Sequence, residues 1–194
     1  MKKHLSFFLS LAVLLMLVYT PAQAANSATT TLKTSVDTVI SLLKKQKETG
    51  QSQRDQIKHV MADIFDKTEL SRRALGIAWK NFTPDQQARF VTAFVTLLDK
   101  TYVDKLDGFS GETVIFEHEV SLGPDKAEVA TKIVRNSGAD IPIVYRMILN
   151  DGVWRIYDVV IEGVSLVRNY RKQFNSLLQN TTPDKLIEKI NSMA

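Results

Sequence analysis

Between Trp154 and Phe174 the chain reads WRIYDVVIEGVSLVRNYRKQF. The first part has the composition of an apolar strand, Gly163 breaks it, and a helix with a basic, aromatic face follows. Val153, Trp154, Ile156, Tyr157, Val159, Val160 and Ile161 place apolar side chains at both parities of that strand. A strand with one wet face alternates, so this one is expected to be covered on both sides. A small domain has few ways to achieve that, and enclosing an apolar ligand is one of them.

The N-terminus reads as an address. Met1-Lys2-Lys3-His4 is a basic start, Leu5 to Tyr19 is an apolar run, and Ala22-Gln23-Ala24 supplies small residues for cleavage. A spanning helix needs about 20 apolar residues, and this run is shorter. Residues 1–24 are therefore expected to be a cleaved signal peptide, and 25–194 a single exported domain. There is no cysteine, which excludes a lipid-anchored N-terminus, disulfides and thiolate metal sites. The 170 residues after Ala24 hold 23 Lys and Arg against 21 Asp and Glu. That balance lacks the basic stripe of a nucleic-acid binder, and no nucleic-acid partner is expected.

Helical spacing is expected over about 32–47 (Val36, Val39, Ile40, Leu43), closed by Gly50 after a loose lead from Ala25 to Thr31. A second helix spans about 52–66, with Ile57, Val60, Met61, Ile64 and Phe65 on one face. A short third helix, capped at Thr68 or Ser71, ends at Gly76. Thr83-Pro84-Asp85-Gln86 is a helix start with a capping box, and the helix it opens runs to about Asp104. From Glu112 the period changes to two. Strands are expected around Val114–Val120, Ala127–Ile133, Ile141–Leu149 and Val153–Glu162, with Asn150-Asp151-Gly152 as a hairpin turn. Helices from Ser165 and from Thr182-Pro183 close the chain. The fold class is α+β: N-terminal helices, a four-stranded curled antiparallel sheet, and C-terminal helices enclosing an apolar pocket.

Catalytic motifs are absent. Beyond the leader only His59 and His118 remain, and adjacent strand residues around His118 point to opposite faces, which excludes a joint metal site with Glu117 and Glu119. Ser165 lacks the second glycine of a nucleophile elbow and reads as a helix cap. Asp158 sits among apolar strand residues, either at a wet edge or buried with Arg146, Arg168 or Arg171 as partner. No catalytic residue, metal or cofactor is assigned.

The run Trp154-Arg155-Ile156-Tyr157-Asp158-Val159, then Ile161-Glu162-Gly163-Val164-Ser165-Leu166-Val167 and Asn169-Tyr170-Arg171-Lys172-Gln173-Phe174, resembles the MlaC (toluene-tolerance) family. Ala74-Leu75-Gly76 with Trp79, Gln86-Gln87, Phe90, Phe94 and Thr101-Tyr102 resemble the same family in the same order. The resemblance implies a periplasmic, monomeric phospholipid carrier, not an enzyme. Its implied partners are an outer-membrane lipoprotein complex and an inner-membrane ABC transporter with a lipid-binding ring subunit, and its role is to maintain outer-membrane lipid asymmetry. Two acyl chains of about 30 methylenes represent roughly 24 kcal/mol of apolar exposure at about 0.8 kcal/mol per methylene, so passage through water requires a shield.

The pocket is expected between the inner sheet face and the helix from Pro84. Its expected walls are Phe94, Leu98, Tyr102, Val114, Phe116, Val129, Ile143, Tyr145, Met147, Trp154, Ile156, Ile161, Val164 and Leu166. Arg168, Arg171 and Lys172 are expected near its mouth, facing a head group or a partner. A periplasmic interaction or chaperone module, or a small α+β hydrolase, would use the same apolar surface differently.

Overall fold

The apolar residues at both parities of the fourth strand reflect a bulge as well as cover on two faces. In the computed structural model, which describes residues 27–45, 51–103, 106 and 108–194, β3 (Ile141–Asn150) pairs antiparallel with β4 (Val153–Ile161). Met147 opposes Ile156 and Arg146 opposes Asp158, leaving Tyr157 as an extra residue. The insertion shifts the parity. Ile156, Val159 and Ile161 all meet one space, while Tyr157 lies under the Arg73 guanidinium, 4.1 Å from its ring centroid. Helices pack on both sides of this strand.

The sheet is an open antiparallel meander, β1 (Thr113–Gly123), β2 (Lys126–Val134), β3, β4 and β5 (Val164–Ser165) in spatial order. Four strands are expected from the sequence, and the fifth is a correction. Glu162 (φ 49°) and Gly163 (φ 81°) both adopt left-handed backbone, the signature of a two-residue hairpin turn. The chain therefore folds back against Val160 and Ile161 before it turns helical. Asp151 and Gly152 form the corresponding turn between β3 and β4.

Three helices come first: α1 (Ala28–Lys44), α2 (Gln51–Ile64) and α3 (Lys67–Leu75). Then come a 3-10 turn (Gly76–Asn81), α4 (Pro84–Leu98) and a π-helical turn (Asp99–Val103). After β5 the chain closes with α5 (Leu166–Leu178) and α6 (Pro183–Met193). The α4 capping box is present, Gln86 N–H donating to Thr83 Oγ1 (3.2 Å) and Thr83 N–H to Gln86 Oε1 (3.0 Å). Two starts differ from the sequence reading. Ser27, not a residue near Leu32, caps α1, and its second anchor comes from the sheet: Thr29 N–H and hydroxyl donate to Glu119 at 2.8 and 2.6 Å. A bulge at Glu117 turns Glu119 to that side. Asp66, not Thr68 or Ser71, caps α3, and Asn150 holds its other carboxylate oxygen at 2.7 Å. The expected leader 1–24, Gly50 and Asp104 lie outside the described residues.

Two apolar centres result. One joins α3, α4, α5 and α6 around Phe82, Phe90, Phe94, Tyr170 and Phe174, whose rings meet largely edge to face. The other lies between the sheet and the α1–α2 pair, around Leu32, Ile64, Val129, Met147 and Ile156.

Candidate functional site: an apolar cavity beneath the sheet

The second centre is not filled. A cavity of about 560 Å³ opens between the sheet, α1, α2 and the end of α4. Its sheet wall consists of Val114, Ile133, Ile141, Ile143, Tyr145, Ile156, Val159 and Ile161. The α1 wall carries Leu32, Val36, Val39, Ile40 and Leu43, and the α2 wall Val60, Met61, Ile64 and Phe65. Leu70, Val95, Leu98, Tyr102, Leu106, Phe109 and Leu166 add further apolar lining. Protein interiors normally pack with few voids larger than a water molecule.

Eight of the expected wall residues border this space: Leu98, Tyr102, Val114, Ile143, Tyr145, Ile156, Ile161 and Leu166. Six do not. Phe94 belongs to the helical aromatic cluster, 4.9 Å from the Tyr170 ring centroid. Val129 and Met147 are fully buried in the packed part of the sheet core. Phe116 and Trp154 pack at that core's margin, Phe116 under the Lys33 ammonium. Val164 is 60 % exposed, because the hairpin at Gly163 turns it outward. The pocket's second wall is thus α1 and α2, and α4 contributes only its last turn. Those two helices carry legible apolar stripes, but a stripe shows that a face is apolar without naming what it faces.

None of Arg168, Arg171 and Lys172 lines the cavity. Arg168 and Lys172 are exposed on α5. Arg171 is structural: its Nε donates to the Arg73 carbonyl at 2.8 Å and its side chain lies over Gly76. The charged groups bordering the cavity are instead Lys58, Lys67, Asp99, Glu112 and Arg135.

Two tyrosines sit in the wall. Burial pushes the Tyr145 hydroxyl up to about 12, against a hydrogen bond with Thr131. Burial also raises Tyr102, whose hydroxyl is hydrogen-bonded with Tyr170 and so ties the wall to the aromatic cluster. Asp158 is buried, not at a wet edge. It accepts from Ser165 Oγ (2.7 Å), Val167 N–H (3.0 Å) and Arg146 Nη1 (3.2 Å). Its oxygens thus clamp the first turn of α5 to β4, where the helix dipole favours a carboxylate. His59 and His118 are exposed. Among the described residues no three His, Cys, Asp or Glu are grouped to hold a metal ion, and no helix is long and apolar enough to cross a membrane.

A family model described as MlaC protein matches residues 33–192. Toluene tolerance protein ttg2D of Pseudomonas putida is 22 % identical over 131 residues, covering 67 % of this chain and 61 % of that protein. The intermembrane phospholipid transport system binding protein MlaC of Haemophilus influenzae is 26 % identical over 126 residues, covering 63 % of this chain and 59 % of that one. These alignments span about three fifths of each relative's length. The phospholipid-binding protein of Ralstonia solanacearum, solved in complex with a phospholipid, shares the fold. Its TM-score is 0.77 at 22 % identity, over 87 % of this chain and 97 % of that one. With the family match running through nearly all of the described fold, the chain belongs to the MlaC family.

Proposed function

We propose that this chain is a periplasmic phospholipid carrier, exported by its N-terminal leader, that holds acyl chains in the cavity beneath the sheet. It moves lipid between an outer-membrane lipoprotein complex and an inner-membrane ABC transporter. The observation that carries this reading is the cavity itself. Its lining is predominantly apolar and it is partly open to solvent, so an empty cavity costs free energy by leaving a continuous apolar surface in water. An apolar guest offsets the cost, and each acyl chain of about 15 methylenes gains roughly 12 kcal/mol by leaving water. The volume falls within the range of about 300–1,000 Å³ usual for small-ligand sites. The relatives named for phospholipid binding and the lipid-bound Ralstonia protein support the same cargo.

The test is transfer. Donor and acceptor vesicles are held apart by a porous barrier, and the protein is expected to move labelled phospholipid across at a rate proportional to its concentration. A rate equal to that without protein would contradict the shuttle.

A further inference from the structure

A carboxylate interrupts an apolar stripe in the cavity wall. Val95, Leu98, Asp99 and Tyr102 fall at i, i+3, i+4 and i+7, so they share one helical face, and all four border the cavity. The third position of that apolar stripe is a carboxylate. It opens the π-helical turn, a distortion that recurs at functional positions. Asp99 is half-buried, and its carboxylate makes no hydrogen bond or ion pair among the described residues. Such a group costs free energy unless something compensates it.

Two cations stand nearby without closing on it. Lys58 of α2 and Lys67, the first residue of α3, also border the cavity. Burial raises the Asp99 carboxyl, and both lysines act against that rise. Neither ammonium forms an ion pair with a carboxylate among the described residues. Here two ammonium groups lie near one carboxylate that makes no ion pair among the described residues, the three drawn from three separate elements. Glu112 and Arg135 are the other charged groups bordering the cavity.

That pattern is the complement of a phosphodiester bearing an ammonium. We propose that Lys58, Lys67 and Asp99 seat the phosphoethanolamine head group of a diacyl glycerophospholipid, the phosphate against the lysines and the ammonium against Asp99. The seat rests on the carrier function above and adds a head-group preference to it. A phosphoglycerol head group offers the same phosphate but a neutral diol, and it brings Asp99 no cation beyond the two lysines. At a partly solvated edge the difference amounts to about 3- to 10-fold in affinity.

The experiment is a competition. The folded chain is equilibrated with vesicles containing equal phosphatidylethanolamine, phosphatidylglycerol and diacylglycerol, and bound lipid is counted by native mass spectrometry. The wild-type protein is expected to favour phosphatidylethanolamine about 3- to 10-fold, and Asp99→Asn to bring that ratio to one or below. The Lys58→Gln/Lys67→Gln double variant is expected to lose both phospholipids relative to uncharged diacylglycerol. A wild-type protein that binds phospholipid with no preference, or an Asp99→Asn ratio equal to that of wild type, would overturn the seat and leave the carrier function standing. Absence of any bound phospholipid on the wild-type protein would overturn both.

Discussion

Asp158→Ala lowers the melting temperature by roughly 6–20 °C, the largest stability effect expected of any single substitution discussed. The carboxylate is 3 % exposed and receives three donors, from Ser165, Val167 and Arg146. Truncation leaves the Arg146 guanidinium short of one partner, with Glu128 at 2.7 Å as its other. It also removes the acceptor from the first turn of α5. Breaking a buried charged pair from one side costs about 3–5 kcal/mol, and a domain of this size loses about 2–4 °C per kcal/mol. Asp158→Asn keeps an acceptor for Val167 and is expected to cost less than half as much. Thermal denaturation followed by circular dichroism gives the comparison. An alanine variant as stable as wild type would show that the clamp between β4 and α5 does not hold the fold.

The second large effect has the opposite stability signature. The double variant Val36→Trp/Val60→Trp fills the cavity from α1 and α2, where both side chains border it. If the indoles displace about four methylenes of an acyl chain, roughly 3 kcal/mol of binding is lost, about a hundredfold in affinity. Melting of the lipid-free variant is expected at or above that of the lipid-free wild type, because filling a void stabilises. The same enlargement in a packed core would cost about 1–3 kcal/mol per site. Bound lipid measured after solvent extraction, together with lipid-free melting, separates the two cases. Retained lipid with a lowered melting point would place Val36 and Val60 in ordinary core.

The elements that can be read from sequence are those governed by local chemistry. Thr83-Pro84-Asp85-Gln86 starts α4 because its capping groups lie within three residues, and Asp151-Gly152 turns β3 into β4 because both adopt left-handed backbone. The α+β order follows from the change of period near Glu112. What escaped depends on neighbours distant in sequence. The apolar residues at both parities of β4 correctly imply two covered faces, but counting by two cannot reveal that Tyr157 is inserted. Phe94 and Leu98 lie one turn apart on α4, yet one joins the aromatic cluster and the other borders the cavity. The periodicity is identical for both. Arg171 reads as a free cation until the Arg73 carbonyl is placed beside it. Asp99 left a visible trace, a carboxylate four residues after Val95 and three before Tyr102 in an otherwise apolar stripe.

The claim that the cavity holds a lipid is tested most directly by a native mass spectrum of the protein purified without organic solvent. The expected spectrum shows the chain carrying one diacyl phospholipid, with that added mass reduced on the Val36→Trp/Val60→Trp variant. A spectrum showing only the bare polypeptide, or undiminished lipid occupancy on the filled variant, would contradict a carrier built around this cavity.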